Sequence, residues 1–306
     1  MATSDDLYER LQPLDWLTFE ELGAKHAKPI TGAIPTPLPT WSAACRGEGG
    51  GLGLAPGWHI TIGGGSGQGK SLVALNVAAR ATLDGTPTAF LSYEMSRDQI
   101  TTRFLSCVTG TSVQYLEPGP GFRTASWGEA AEFWSQQRKA GLFLAERPPR
   151  LVGELVALMR HAVQMGCKLI IVDYLQLIGV GEIETVYDRT LRVSAAIQEV
   201  AFTEGVTTIA LSQFNRQQSF NKRDTPANEG LAGGGAIEND SDQVLLLDHS
   251  NYTRVDLHNA TTNLLLSKNR HGPVAQIPVE WDYRVLQLRE RSSLKDAQKR
   301  IQRAAS

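Results

Sequence analysis

Between the apolar run "WHITI" at 58–62 and the apolar stretch "KSLVALNVAA" at 70–79, the chain places five glycines within seven residues. No other feature constrains the fold as tightly. A short apolar run rich in β-branched residues fits a buried strand, and the leucine- and alanine-rich run fits a helix over about 71–83 that stops near Gly85. Glycines between them let successive backbone N–H groups turn inward around an anion, because no Cβ intrudes. Positions 64–71 fit G-x-x-x-x-G-K-[ST], the phosphate-binding P-loop or Walker-A pattern. The dinucleotide pattern G-x-G-x-x-G is absent from both glycine-rich stretches.

That spacing assigns roles by chemistry. The cradle for a triphosphate such as ATP comprises Gly64, Gly65, Ser66, Gly67, Gln68, Gly69, Lys70, Ser71 and Leu72. The helix that follows adds its positive N-terminal end. Lys70 supplies a mobile charge for the β- and γ-phosphates, and the Ser71 hydroxyl can ligate Mg²⁺.

Downstream, apolar runs alternate with helical patterns. "TAFLSY", "LFLAE", "KLIIVDYLQL" and "VTTIALSQF" read as strands. Helices are expected from Ser96, from Ser126, over 150–165 and over 187–204; Ser96 with Gln99, and Ser126 with Glu129, have capping-box spacing. Four further strands follow: "DQVLLLD", "TRVDLH", "TNLLLSK" and "AQIPVEW". The expected fold is α/β, a mostly parallel sheet flanked by helices with antiparallel strands toward the C-terminal end.

Three strand tips carry polar groups. Asp173 ends "LIIVD" at the carboxyl edge of the sheet, where it can hold the magnesium shell in the Walker-B role. Glu94 follows "FLSY", and a carboxylate there could orient the attacking water. Gln213 ends "TTIALSQ", and its amide could bond the γ-phosphate or merely cap the strand. After it comes a long polar segment whose front half is basic, with Arg216, Lys222 and Arg223 against Asp224. Lys268 and Arg270 lie in "SKNRHGP", after an apolar strand.

The 306 residues are 42% hydrophobic and 20% charged with a net charge of −2, the balance of an ordinary globular chain, so nucleic-acid binding needs a local patch. Cys45, Cys107 and Cys167 have no ligand spacing and read as buried thiols of a reducing, cytoplasmic setting. The polar N-terminus is not a signal peptide, and no apolar run is long enough to span a membrane. Leucines at 7, 11, 14, 17 and 22 suggest short amphipathic helices, "KPITGAIPTPLPT" an extended linker, and "RGEGGGLGLAPG" a flexible loop. The chain thus divides into a leader over 1–40, one ATPase domain over 41–290 and a basic tail over 291–306.

Seven segments together resemble the RecA-like motor domain of DnaB-type replicative helicases: "TGAIPTPLPTW", "GGGSGQGKSLVALNVA", "FLSYEMSRDQITTRFLS", "LIIVDYLQLI", "IALSQFNR", "GGGAIENDSDQVLLL" and "LLLSKNRHGP". The resemblance covers about residues 30–285 and implies a ring, six-membered in this family, that moves on single-stranded DNA at a replication fork. Primase or a loader are its implied partners. Glu94 then matches the catalytic glutamate and Gln213 the γ-phosphate sensor. Lys268 and Arg270 match the pair that reaches the adjacent subunit's ATP, with Arg270 as the arginine finger. The polar segment over 214–235 matches the pore loop; Arg216, Lys222, Arg223, Gly234 and Gly235 are its candidate DNA contacts, and the family's Arg-Glu stands here as Ala232-Gly233. "LTFEELGAKHA" is the candidate linker helix. Two other readings fit the same residues: a RecA- or KaiC-like strand-binding switch or loader without unwinding, and a ring component that binds ATP without hydrolysing it.

Overall fold

A computed structural model describes residues 31–45, 53–145, 148–179, 185–213, 234–256 and 258–291. Among them, nine strands form one sheet in the order β3-β2-β4-β5-β1-β6-β7-β8-β9. Strands β1 (His59–Gly64), β2 (Thr88–Ser92), β3 (Leu142–Leu144), β4 (Leu169–Asp173), β5 (Thr207–Gln213) and β6 (Gln243–Arg254) are mutually parallel. Strands β7 (Asn259–Asn269), β8 (Ala275–Asp282) and β9 (Gln287–Glu290) continue the sheet as antiparallel hairpins. The mixed α/β sheet expected from the sequence is the one observed.

Alternation of side chains along the strands explains the layering. In β4, Leu169 and Ile171 join one core with α2 (Lys70–Asp84) and α3 (Arg97–Thr109). Ile170 and Val172 point to the other face, against α6 (Val152–Gln164), α7 (Val186–Glu204) and α8 (Gly234–Asp240). Both faces of the central strands are therefore dry, which is why they read as unbroken apolar runs. Between α3 and α6 lie α4 (Val113–Leu116) and α5 (Thr124–Gln137).

Several expectations are corrected. The proline-rich stretch is not simply an extended linker. Pro39 opens a short helix, α1 (Pro39–Ala44), at the one helical position where a missing N–H costs nothing. Its Trp41 is fully buried and donates Nε1–H to Gln243 at 2.9 Å. The end of the glycine loop is packed too: Leu54 is buried and bonds Ile34 through both backbone groups at 2.8 Å. Ser96 forms its capping box with Gln99, but Ser126 lies inside α5, whose N-cap is Arg123 without a side-chain bond. "TRVDLH" is not a separate strand, because β6 runs through Arg254 and carries its first residues. "LFLAE" contributes only three residues, at the sheet's edge, and β9 was not foreseen.

Candidate functional site

The P-loop leaves β1 at Gly64 and enters α2 at Lys70. Gly67 and Gly69 have φ of +70° and +102°, the left-handed region that L side chains rarely adopt. A second constraint acts at Gly69, where a Cβ would lie 3.2 Å from the buried Trp281 ring of β8. The loop is tied internally by the Gly65 N–H donating to Gln68 Oε1 at 2.5 Å, and externally by His249 Nε2 against the Gln68 carbonyl at 3.1 Å. No side chain caps the N-terminus of α2, so its first-turn N–H groups face the loop without a protein side-chain acceptor.

Lys70 Nζ donates to the carbonyls of Gly64 and Gly65, at 3.1 and 2.8 Å. Burial pulls its pKa down, while Asp173 and Glu94 oppose that shift. Asp173 is 1% exposed, and burial pushes its carboxyl from the ordinary 3.8 up to about 6. The neighbouring Ser71 hydroxyl and Lys70 pull the other way, and Glu94 adds to the rise. Asp173 Oδ2 has no hydrogen-bond partner among the protein atoms. An orphaned buried carboxylate oxygen beside a serine hydroxyl is a hard, all-oxygen donor pair. Such a pair would suit Mg²⁺, a hard cation that prefers oxygen donors.

Glu94 is exposed just beyond β2, and Gln213 pairs with Gly64 across the β1–β5 register. Both line one cavity of about 360 Å³ together with Ser66, Gly67, Gly69, Lys70, Ser71 and Leu72. Strand order alone makes this juxtaposition. β2, β4, β5 and β1 are neighbours, their carboxyl ends share one edge, and Glu94, Asp173, Gln213 and the P-loop all lie there.

Some wall residues escaped the sequence reading. Arg103 arrives from α3, Tyr174 from the turn after β4, and Tyr283 and Leu286 from the β8–β9 connection. That connection is held on α2 by Asn76, which donates to the Leu286 carbonyl at 3.0 Å and accepts from the Leu288 N–H at 3.0 Å. No local motif marks these positions; sheet topology brings them in. Gln176 was also unforeseen. It accepts the Gln213 N–H at 3.3 Å and donates to Ser212 at 3.0 Å, bracing that strand tip.

Lys268 and Arg270 sit elsewhere. Lys268 pairs with Val244 near the start of β6. The Arg270 N–H bonds the Asp242 carbonyl, and the Asp242 N–H bonds the carbonyl of His59, the first residue of β1. Arg270 therefore lies at the amino edge of the parallel strands. The P-loop leaves β1 five residues later, about 16 Å away along the strand. Gly234 and Gly235 are the first residues of α8. Arg216, Lys222 and Arg223, the linker-helix candidate and the basic tail beyond Arg291 lie outside the described residues.

Residues 51–290 match the family model described as the DnaB-like helicase C-terminal domain. The chain belongs to that family. Relatives of this DnaB-like chain include the replicative DNA helicase DnaB of Leifsonia xyli subsp. xyli, 32% identical over 74% of this chain and 50% of that protein. A probable plasmid replicative DNA helicase of Chlamydia psittaci is 25% identical over 72% of this chain and 49% of that one. The chain thus spans about half the length of the curated relatives it matches. Two solved structures share the fold. One is a DnaB-like replicative helicase described with its primase interactions, at TM-score 0.72 and 17% identity over 94% of this chain and 67% of that one. The other is described as an ATPase domain, at TM-score 0.69 and 18% identity over 95% and 100%. A KaiC-like protein from Pyrococcus horikoshii aligns at TM-score 0.55 with 16% identity over 85% of this chain and 99% of that one. No helix among the described residues is long and apolar enough to cross a membrane.

Proposed function

We propose that this chain is the ATP-hydrolysing motor of a ring-shaped DNA helicase that moves along single-stranded DNA at a replication fork. One observation carries the reading. The P-loop, Asp173, Glu94 and Gln213 share one sheet edge, whereas Lys268 and Arg270 stand at the other, out of reach of their own triphosphate site. A motor whose last cation comes from a neighbouring subunit needs that separation.

In this account the amides of the P-loop and of the first turn of α2 hold the phosphates of ATP, and Lys70 turns from the loop carbonyls toward the β- and γ-phosphates. Ser71 and Asp173 would hold Mg²⁺, whose charge would offset that developing on the phosphoryl oxygens. Glu94 orients the water and accepts its proton. Gln213 reports the γ-phosphate to the segment that follows β5. Arg270 of the adjacent subunit, with Lys268 beside it, completes the pocket; such a finger is worth about 10³–10⁵ in rate, or roughly 4–7 kcal/mol of barrier. Arg216, Lys222, Arg223, Gly234 and Gly235 are assigned to the DNA-contacting surface, six copies of which would concentrate charge that one chain lacks.

Hydrolysis stimulated by single-stranded DNA, and strand displacement on a forked duplex, are expected of the purified protein and lost in Lys70→Ala. Hydrolysis without displacement would support instead the strand-binding switch or loader. A normal rate in Lys70→Ala would refute the site itself. Raising salt should weaken DNA binding steeply, as phosphate contacts require.

A further inference from the structure

The Arg270 guanidinium is held where it stands. Nη2 donates to the Asn239 carbonyl near the C-terminal end of α8, and Nη1 lies 3.5 Å from Asp242 Oδ1. Beside it, Lys268 Nζ donates to the Glu238 carbonyl. Asp242 is itself fixed on several sides. Its Oδ2 accepts the His59 N–H at 2.9 Å, and its backbone bonds both His59 and Arg270. Its Oδ1 is 3.3 Å from His271 Nε2, and the His271 ring is stacked on Trp58 with centroids 4.1 Å apart and planes 8° from parallel. The Asp242 side chain is 14% exposed against 45% for Arg270, so the carboxylate is the sheltered member and the guanidinium the presented one.

From this row of contacts we infer that Asp242 is the positioning residue for the arginine finger, fixing how Arg270 is offered to the neighbouring subunit's triphosphate. The inference rests on the proposed function of Arg270 in trans. A guanidinium has five N–H donors in one plane. Asp242 and the Asn239 carbonyl engage its Nη1 and Nη2 on the inner side, which orients the plane and leaves further donors for an incoming phosphate oxygen. An unsupported arginine would have to lose its rotamer freedom at the moment of reaction, whereas a held one has lost it already. The other charges facing this pair are Lys268 on β7, His271, and Glu238 and Asp240 of α8. Of the carboxylates among the described residues, Asp242 is the one in ion-pair contact with Arg270 and anchored to the start of β1.

The test uses the whole 306-residue chain. Asp242→Asn should lower the ATPase kcat roughly 10- to 100-fold, the range for a slightly misplaced group, with KM for ATP within about twofold because its own P-loop is intact. Mixing Asp242→Asn with Glu94→Gln subunits should restore hydrolysis, since the second variant cannot hydrolyse but offers a properly held finger. Mixing Arg270→Ala with Glu94→Gln is the control. If that control shows no recovery, the shared-site reading fails; if it recovers and the Asp242→Asn mixture does not, the positioning role is overturned. A wild-type kcat in Asp242→Asn overturns it as well. Asp242→Glu keeps the charge on a longer arm and covers the case in which the amide fails to fold. It should lose less rate than the amide and show the same recovery, and absence of recovery with the control intact counts against the inference.

Discussion

Asp173→Asn separates the chemistry of the site from the stability of the fold. Burial raises the Asp173 carboxyl from 3.8 to about 6, so the folded protein prefers it protonated while the unfolded chain releases its proton about two pH units earlier. The penalty is absent below about pH 3.8, grows as pH rises toward 6, and is fully present above it. The gap of about two pH units, at ~1.4 kcal/mol each, makes ionised Asp173 worth roughly 3 kcal/mol of destabilisation at about pH 8 without metal, and about half that near pH 5. Asparagine keeps the shape and drops the charge. In nucleotide-free buffer with chelator, the variant should therefore melt about 6–12 °C above the parent at about pH 8, with a visibly smaller gain near pH 5. Hydrolysis dependent on Mg²⁺ should be lost in the same protein. Equal melting temperatures under the alkaline condition, or a gain independent of pH, would refute the argument from burial.

Two further perturbations follow from packing. Gly69→Ala meets both a φ of +102° and the Trp281 ring at 3.2 Å, so nucleotide affinity should fall at least about 10-fold with the circular dichroism spectrum unchanged; equilibrium binding of a fluorescent ATP analogue reads this. Trp41→Ala removes a fully buried ring and leaves Gln243 Oε1 without its donor, a loss of about 3–5 kcal/mol measurable by urea unfolding.

What could be read in the sequence depended on whether a residue's neighbours are local or distant. The P-loop could be read because its glycines, lysine and serine answer to one short stretch of backbone. Asp173 and Gln213 could be placed because a strand apolar on both faces must end in something polar at the sheet's edge, and they occupy those ends. Glu94 follows the same logic one strand over. Trp41 could not be placed, because its burial depends on Gln243, far along the chain, and the prolines that precede it look like a linker. Trp281, Tyr283 and Leu286 gave no local signal either; only the antiparallel return of β7 to β9 carries them back to α2 and the P-loop. The sequence likewise placed Arg270 after an apolar strand without saying at which edge. The pairing of Gln243 with both Ile60 and Asn269 decides that.

Each hydrolytic site, on this reading, is built from two chains. The decisive measurement is the ATPase rate per subunit across a dilution series, with the assembly state followed by light scattering at each concentration and single-stranded DNA present. The rate per subunit should fall toward zero as the assemblies separate. A population of monomers that hydrolyses ATP at the undiluted rate would mean that no neighbour completes the pocket.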